Sequence, residues 1–240
     1  MRFIEASLPG NTSSIAVDLA KNKQMVKDLL KENNIPVPCG GIVNSEDGAV
    51  VLAEQIGYPI VVKPWDANQG KGVTTNIEDE SLLRKAYHLA NSFAKHIIVE
   101  KYIRGKDYRI LVVGNKVAAV AERRPPYVIG NGLHSISELL EEANKNPNRG
   151  IGHEKPLSKI LLDSVAKEFL ARSELNENSI PKIGELVYLR ENGNLSTGGS
   201  ARDCTRDIHP VNKEMAIKAA KIIGLNVAGI DMVMENISEP

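Results

Sequence analysis

The chain of 240 residues predicts an α+β fold with two sheet-bearing units and a covering insertion. Three observations carry this. From Ser45 to Ile103 the pattern reads helix, strand, loop, strand, helix, strand, spacing that fits a small α+β unit. From Asp107 it changes to two β-rich runs around Gly114-Asn115. Between Arg124 and about Ile183 periodicity is lost, and regular patterns resume before the end.

The elements follow in order. Asn22–Asn33 places Met25, Val26, Leu29 and Leu30 on one helical stripe, with lysines opposite, and Pro36 and Pro38 then force extended backbone. After the apolar stretch GGIVN, Ser45 reads as the N-cap of a helix to about Ile56, with Gly57 at C′. YPIVVKP is a strand, DANQGKG a Gly-rich loop, and Val73–Ile77 the returning strand. A helix from about Glu80 to Ala94 turns Leu82, Leu83, Ala86, Leu89 and Ala90 inward, and IIVEKYI is the next strand. DYRILVVGNKVAAVAER reads as an antiparallel hairpin. The irregular stretch contains one helix, near Ile136–Asn146, and its length marks a functional lid or insertion. GELVYLREN, a helix from about Asn212 to Ile223 and the strand AGIDMVME close the chain.

Composition sets limits on function. Thirty Lys plus Arg balance thirty Asp plus Glu, which gives no electrostatic reason to expect nucleic acid. No run approaches the roughly 18 apolar residues of a membrane span, and the first residues are too polar for a signal peptide. Cys39 and Cys204 form neither a disulfide framework nor a zinc pattern, and read as inert small hydrophobes. The expected class is soluble and cytoplasmic.

Four features could carry chemistry. Lys63 ends an apolar strand, and Asn68-Gln69-Gly70-Lys71-Gly72 turns the chain back, so glycine backbone and two lysines could receive phosphate. It is not a Walker A loop, and alone it reads better as a hairpin turn with solvated lysines. Glu100-Lys101-Tyr102-Ile103 is an extended connector that could pair with the edge of a flat base, with Asp107 beyond it for a ribose. In isolation it reads as a charged strand with surface ion pairs. The run from Asn194 to Asp203 sets Gly198 and Gly199 beside Ser196 and Thr197, a backbone nest for a carboxylate or oxyanion, or equally a flexible turn. Asp231 lies inside an apolar strand, where a charge is costly unless paired with an Arg or bound to Mg²⁺. Glu235 is four residues on, about 13 Å away and too far to hold the same ion.

The histidines show no HxH or HExxH spacing, which argues against zinc chemistry. Trp65 reads as core. Arg123-Arg124-Pro125-Pro126 is either a solvated charged turn or a basic clamp.

Taken in order, Lys23 in a helix, Lys63 closing a strand, a glycine loop, the Glu100–Ile103 connector, Asp107 and a late Asp231 resemble the ATP-grasp ligases over almost the whole chain. The resemblance implies ATP lying between two α+β units. A carboxylate would attack its γ-phosphate to give an acylphosphate, from which an amine displaces phosphate. Carried over by position, Lys23 and Lys63 contact phosphates, and Gly70, Lys71 and Gly72 close as a flap. Glu100, Lys101 and Ile103 receive adenine, Asp107 the ribose, and Asp231 magnesium. Arg109 would face phosphate or acylphosphate, and Lys116 also matches a motif position.

Local phrases narrow the resemblance. NTSSIAVDLAKNKQMVKDLL, DYRILVVGNKVAAVAERRPPYVIGNGLHSISELLE, GHEKPLSKI and NLSTGGSARDCT resemble the cyanophycin synthetase family, with the bifunctional glutathione synthetases as the alternative. The implied ligand is an Asp/Arg polymer or an amino acid, with Ser196, Thr197, Gly198, Gly199 and the basic insertion holding a carboxylate. The implied segments are 1–37 helical, 38–101 a small subdomain with the flap, and 102–240 a second subdomain with the insertion at about 124–183.

That family completes its metal site with a Glu-x-Asn on a following strand, and carries an N-terminal and a Mur-ligase-like domain besides. The 240 residues contain none of these, so the expectation is a C-terminally truncated domain, inactive by itself. A homo-oligomer stays open, as does a nucleotide-sensing module without catalysis.

Overall fold

In the computed structural model, which describes residues 4–5, 8–10, 12–66, 72–152 and 154–240, the chain begins with a short antiparallel pair, β1 (Ile4–Glu5) and β2 (Leu8–Pro9). Two helices follow, α1 (Ser14–Lys21) and α2 (Lys23–Glu32), hinged at Asn22, which ends the first and caps the second by accepting from Met25 N at 3.1 Å. The first helix lies within the segment 1–37 that the resemblance implied to be helical, although no residue pattern had marked it. It has eight residues and buries only Ala16, so it leaves almost no apolar stripe to detect. The stripe expected on α2 is only half covered, and Met25 is exposed.

Next come β3 (Gly40–Val43), α3 (Glu46–Ile56), β4 (Ile60–Pro64), β5 (Thr74–Ile77), α4 (Glu80–Asn91) and β6 (Ile97–Lys101). The Ser45 side chain accepts from Gly48 N at 3.1 Å and Gly57 takes a positive φ of 76°, as the capping pattern predicts. The four strands form an antiparallel sheet in the order β3-β6-β4-β5. Its core joins Val43, Ile60, Val62, Ile77, Ile97 and Val99 with Ala49 and Ala53 of α3. Helix α4 presents Leu83, Ala86, Tyr87 and Ala90 to this core, whereas Leu82 and Leu89 are exposed. Each of those leucines sits about 100° round the helix from a buried neighbour, and Tyr87 completes the stripe instead.

Strands β7 (Lys106–Val113) and β8 (Lys116–Arg124) flank a turn at Gly114, whose φ is +58°. Tyr108, Ile110 and Val112 of β7 are buried, which places Asp107, Arg109 and Leu111 on its other face. Within β8 the chain passes from one unit, residues 1–120 with 204–240, into a second, residues 121–203.

The second unit contains β9 (Tyr127–Ile129), α5 (Ile136–Asn144), β10 (Arg149–Gly150), β11 (Leu157–Ser158), α6 (Ser164–Ala171), β12 (Leu186–Tyr188) and β13 (Ser200–Asp203). β12 pairs antiparallel with β9, β13 antiparallel with the end of β8, and β10 parallel with β11. Val128, Ile136, Leu140, Ile160, Ala166, Leu170, Val187 and Leu189 form a core of its own. The expected helix is α5, started by a Ser135–Glu138 capping box. Helix α6 is additional. Its Asp163 cap accepts from Ala166 N at 3.0 Å, but eight residues with two buried side chains give little periodic signal.

The chain returns to the first unit with α7 (Pro210–Ile223) and β14 (Val227–Met234). β14 pairs antiparallel along all of β7, from Val227↔Val113 to Met234↔Lys106. Tyr108, Ile110, Val112, Val120, Ile208, Ala216, Ala220 and Ala228 build the core beneath. Helix α2 packs on α7, and Lys218 Nζ donates to Asn33 O at 2.6 Å. Among the described residues no helix is long and apolar enough to cross a membrane.

Candidate functional site

The chemistry-bearing residues of the first unit fall into two sets. The first is built where β4 and β6 run side by side against α2. Lys63 extends from β4, and its Nζ lies 2.5 Å from Glu100 Oε2 on β6. The other oxygen, Oε1, takes Lys27 Nζ at 2.9 Å. Lys23, one helical turn before Lys27, donates from Nζ to Trp65 O at 3.2 Å, just past the end of β4. Two ammonium groups therefore hold one carboxylate, a net positive cluster, and Lys23 adds a third cation one helical turn from Lys27.

Glu100 is 9 % exposed. Burial alone would raise its carboxyl pKa, but the charges and hydrogen bonds of Lys63 and Lys27 outweigh burial and hold it below the ordinary range. The carboxylate is thus ionised and fixed. Lys63 is the more open of its two partners, with 31 % of its side chain exposed against 13 % for Lys27.

The second set lies on the solvent-side face of β7 and β14. Asp231 stands opposite Arg109, and Arg109 Nε approaches Asp231 Oδ1 at 2.6 Å while Nη2 donates to Oδ2 at 3.1 Å. The carboxylate is about half exposed. This corrects the reading of Asp231 as a charge immersed in an apolar strand: alternation turns it outward, with the Arg partner that reading named as one alternative. Gly229, next but one on β14, leaves room for Arg109, since a Cβ there would fall 2.6 Å from Nη1. Among the described residues no group of three His, Cys, Asp or Glu could by itself hold a metal ion.

The connector is partly committed. Lys101 Nζ donates to Gly57 O and Tyr58 O at 3.0 and 2.8 Å, Lys101 N to Cys39 O at 2.7 Å and Tyr102 N to Pro59 O at 3.0 Å. Ile103, which follows, is exposed. Asp107 is half-buried on the Arg109 face of β7, and Lys116 is exposed at the start of β8. Gly70 and Lys71 lie outside the described residues, as does His153. Gly72 has φ +67°, and a Cβ on it would meet Phe93 at 2.7 Å and Pro64 at 2.9 Å. Trp65 is half-buried rather than core, and Cys39 is exposed while Cys204 is buried.

In the second unit, Leu195–Thr197 is a single 3₁₀ turn ending at Gly198 with φ +94°. Thr197 N and Gly199 N donate to Asn194 O at 3.1 and 3.0 Å, and Gly198 N to Leu195 O at 3.2 Å. These amides close the turn on itself, so the expected backbone nest is not formed by them. Both glycines are required sterically: a Cβ on Gly198 would lie 2.7 Å from Ile160 Cα, and one on Gly199 2.8 Å from Asn194 O. Ser196 is exposed. Arg124 lies in β8 with Nε 2.7 Å from Glu122 Oε1, neutralising a buried carboxylate, so it is neither a solvated turn nor a free clamp.

Lys27 and Gly229 were missed by sequence reasoning. The lysine repeats at i and i+4 on a helix, and that spacing was a usable signal. Gly229 had none without knowledge of the β7–β14 register.

The chain is similar to several known proteins. Residues 20–126 match the RimK-like ATP-grasp domain. The chain is 45 % identical over 238 residues to a cyanophycin synthetase of Trichormus variabilis, covering 99 % of this chain and 26 % of that protein. It is 41 % identical over 238 residues to the glutathione biosynthesis bifunctional protein GshAB of Clostridium perfringens, covering 98 % of this chain and 31 % of that one. The crystal structure of a bifunctional glutathione synthetase from Pasteurella multocida superposes with a TM-score of 0.67 at 31 % identity, over 100 % of this chain and 33 % of the other. A D-alanine–D-alanine ligase from Bacillus anthracis shares the fold, with a TM-score of 0.54 at 12 % identity. The chain thus spans roughly a quarter to a third of the length of the relatives it matches.

Proposed function

This chain belongs to the ATP-grasp superfamily, and from that premise we propose that it is the nucleotide-binding, carboxylate-activating part of a ligase that adds aspartate to a cyanophycin-like backbone. The observation that carries the proposal is the convergence of Lys27 and Lys63 on one ionised carboxylate, with Lys23 one helical turn from Lys27. Such a net positive, partly enclosed cluster fits a polyphosphate, and phosphoryl transfer depends chiefly on positioned cations.

In this reading Lys23 and Lys63 contact the phosphates, with Gly70, Lys71 and Gly72 covering them. Glu100, Lys101 and Ile103 border the adenine, Asp107 the ribose, and Lys116 assists at the phosphates. Glu100 acts through its backbone at the base and through its carboxylate as the fixed counter-charge of the lysines. Bound magnesium would neutralise charge on the phosphates, and Asp231 would be this chain's carboxylate toward it. Arg109 would face the acylphosphate. An oxygen of the substrate carboxylate attacks the γ-phosphorus as ADP leaves, and the incoming amine then attacks the acyl carbon as phosphate leaves. Ser196, Thr197, Gly198 and Gly199 border the substrate carboxylate.

The test measures MgATP binding by calorimetry, then ADP release with aspartate plus an aspartate-backbone primer, and separately with γ-glutamylcysteine plus glycine. Tight MgATP binding, with ADP release or binding synergy only in the first pair, is the expected result. Coupling to the second pair instead would move the chain to the glutathione reading, which its likeness to glutathione biosynthesis proteins favours as the alternative. ATP binding without coupling to either would make it a non-catalytic module.

A further inference from the structure

In the second unit, β9 and β12 form a ribbon that sets Leu186 opposite Ile129 and Tyr188 opposite Tyr127. Alternation sends Val128 and Val187 into that unit's core and leaves the other four on the opposite face. There Ile129, Leu186 and Tyr188 are exposed, and the two tyrosine rings meet edge to face with centroids 5.9 Å apart. The pairing continues past the strand ends, where Gly130 N donates to Glu185 O at 2.8 Å, Gly184 N to Gly130 O at 2.9 Å and Gly132 N to Pro181 O at 3.0 Å. This extension carries Leu133 and Ile183, which are 78 % and 84 % exposed. Gly132 makes the room for it, since a Cβ there would fall 3.1 Å from Ile183 Cγ1.

Exposed apolar residues scattered singly need no explanation, but these are joined by strand register and backbone hydrogen bonds into one ordered surface. Together they expose on the order of 600 Å², the top of what a monomer shows in one patch and most of the about 800 Å² that each partner gives to a standard interface. Charge is nearly absent. Segments 127–133 and 183–189 hold one charged residue, Glu185, and its Oε2 accepts from Lys182 N at 2.8 Å. Aromatic side chains with few charges are the composition of an interface core, not of a solvated surface.

We propose that this face of β9 and β12, with Leu133 and Ile183 beside it, joins two copies of the chain across a two-fold axis. Two such faces bury roughly 1,200 Å² in all, which reaches the lower bound of specific, stable interfaces. A surface without charge offers nothing by which a charged partner would be chosen. In a two-fold contact, by contrast, the same apolar patch is its own complement. The area predicts a reversible dimer with a Kd on the order of micromolar. The proposal stands apart from the ligase reading above, because no group it uses touches the lysine cluster or the Arg109–Asp231 pair.

Sedimentation equilibrium of the full chain across roughly 1–200 µM, either side of that Kd, is the test. The apparent mass should rise from 26.2 kDa toward twice that value. Ile183→Asp and Leu186→Asp each set like charges against one another across the axis and should weaken association on the order of tenfold or more. Val51→Asp, at an exposed apolar position on α3 of the first unit, should leave it unchanged. Circular dichroism checks that each variant is folded. Hydrogen exchange of the wild-type chain needs no variant: segments 127–133 and 183–189 should exchange more slowly at high concentration than at low. A dimer that both Asp variants of this face leave intact, one that Val51→Asp weakens equally, or exchange that ignores concentration overturns the inference. So does a chain that stays at 26.2 kDa throughout; protection of the same segments by neutral phosphatidylcholine vesicles would then make the face a lipid contact instead.

Discussion

Lys27 and Lys63 hold opposite oxygens of the same carboxylate, at 2.9 and 2.5 Å from Glu100. Both lysines oppose the effect of burial on Glu100, Lys63 the more strongly, but the less exposed Lys27 stays with the carboxylate when the more open Lys63 turns to a ligand, so no buried charge is stranded. Lys63→Ala should therefore cost only about 1 kcal/mol of stability, because Glu100 retains Lys27, while weakening ATP binding on the order of tenfold or more. Lys27→Met should show the reverse balance, with a stability loss of roughly 2–3 kcal/mol and a smaller loss of affinity. Urea unfolding and ATP titration of both variants check this. Equal profiles would show that the lysines are not divided in this way.

The Glu100 carboxyl predicts a pH dependence. Its folded pKa is depressed, so its contribution to stability is complete above the ordinary glutamate range, about 4.3, and is lost as pH falls toward the folded value. Melting temperatures should decline below about pH 5 for the wild type. Glu100→Gln should be less stable at neutral pH, since it leaves the lysines without their acid, and should decline less steeply in acid. A parallel acid decline in both proteins would assign that decline to other carboxylates.

Much of the first unit was legible because its signals are local. Ser45, Gly57, the Lys63 strand end and the Gly114 turn each specify backbone by capping or φ preference, and each sits where the pattern placed it. Which way Asp231 faces was not legible because an unbroken apolar run hides which face is buried; only the register against Arg109 reveals the outward side. The turn at Ser196–Gly199 looked like a nest because glycine reports conformational freedom, not where its N–H points. Here Gly198 and Gly199 are glycines for lack of space. Helix α6 escaped notice, and α1 was expected only as part of a helical 1–37 segment, because eight residues with one or two buried side chains carry little periodicity.

Gly198 tests that steric reading. Its φ of +94° strains any L side chain, and a Cβ would lie 2.7 Å from Ile160 Cα, in the core of the second unit. Gly198→Ala should destabilise this unit by roughly 2–3 kcal/mol. Hydrogen exchange should show the loss at Ile160 and Leu189 and leave β4 and β6 protected. A variant as stable as wild type would mean the turn can move away from Ile160, returning the glycine to a conformational role.

Gly229→Ala separates the Arg109–Asp231 geometry from stability. The new methyl would meet Arg109 Nη1 at 2.6 Å, the far end of a flexible and half-exposed side chain. The arginine can swing aside, so unfolding free energy should change by less than about 1 kcal/mol. The paired N–H···O contacts to Asp231 at 2.6 and 3.1 Å cannot both survive that movement. If Arg109 faces a developing acylphosphate, Gly229→Ala should lower ADP release by on the order of tenfold or more with little change in ATP affinity, since misplacing a charge near the reacting centre acts on the transition state. Asp231→Asn, which frees Arg109 without crowding it, gives the comparison. A Gly229→Ala protein with full turnover would place Arg109 outside the chemistry and leave its pairing with Asp231 as a link between β7 and β14.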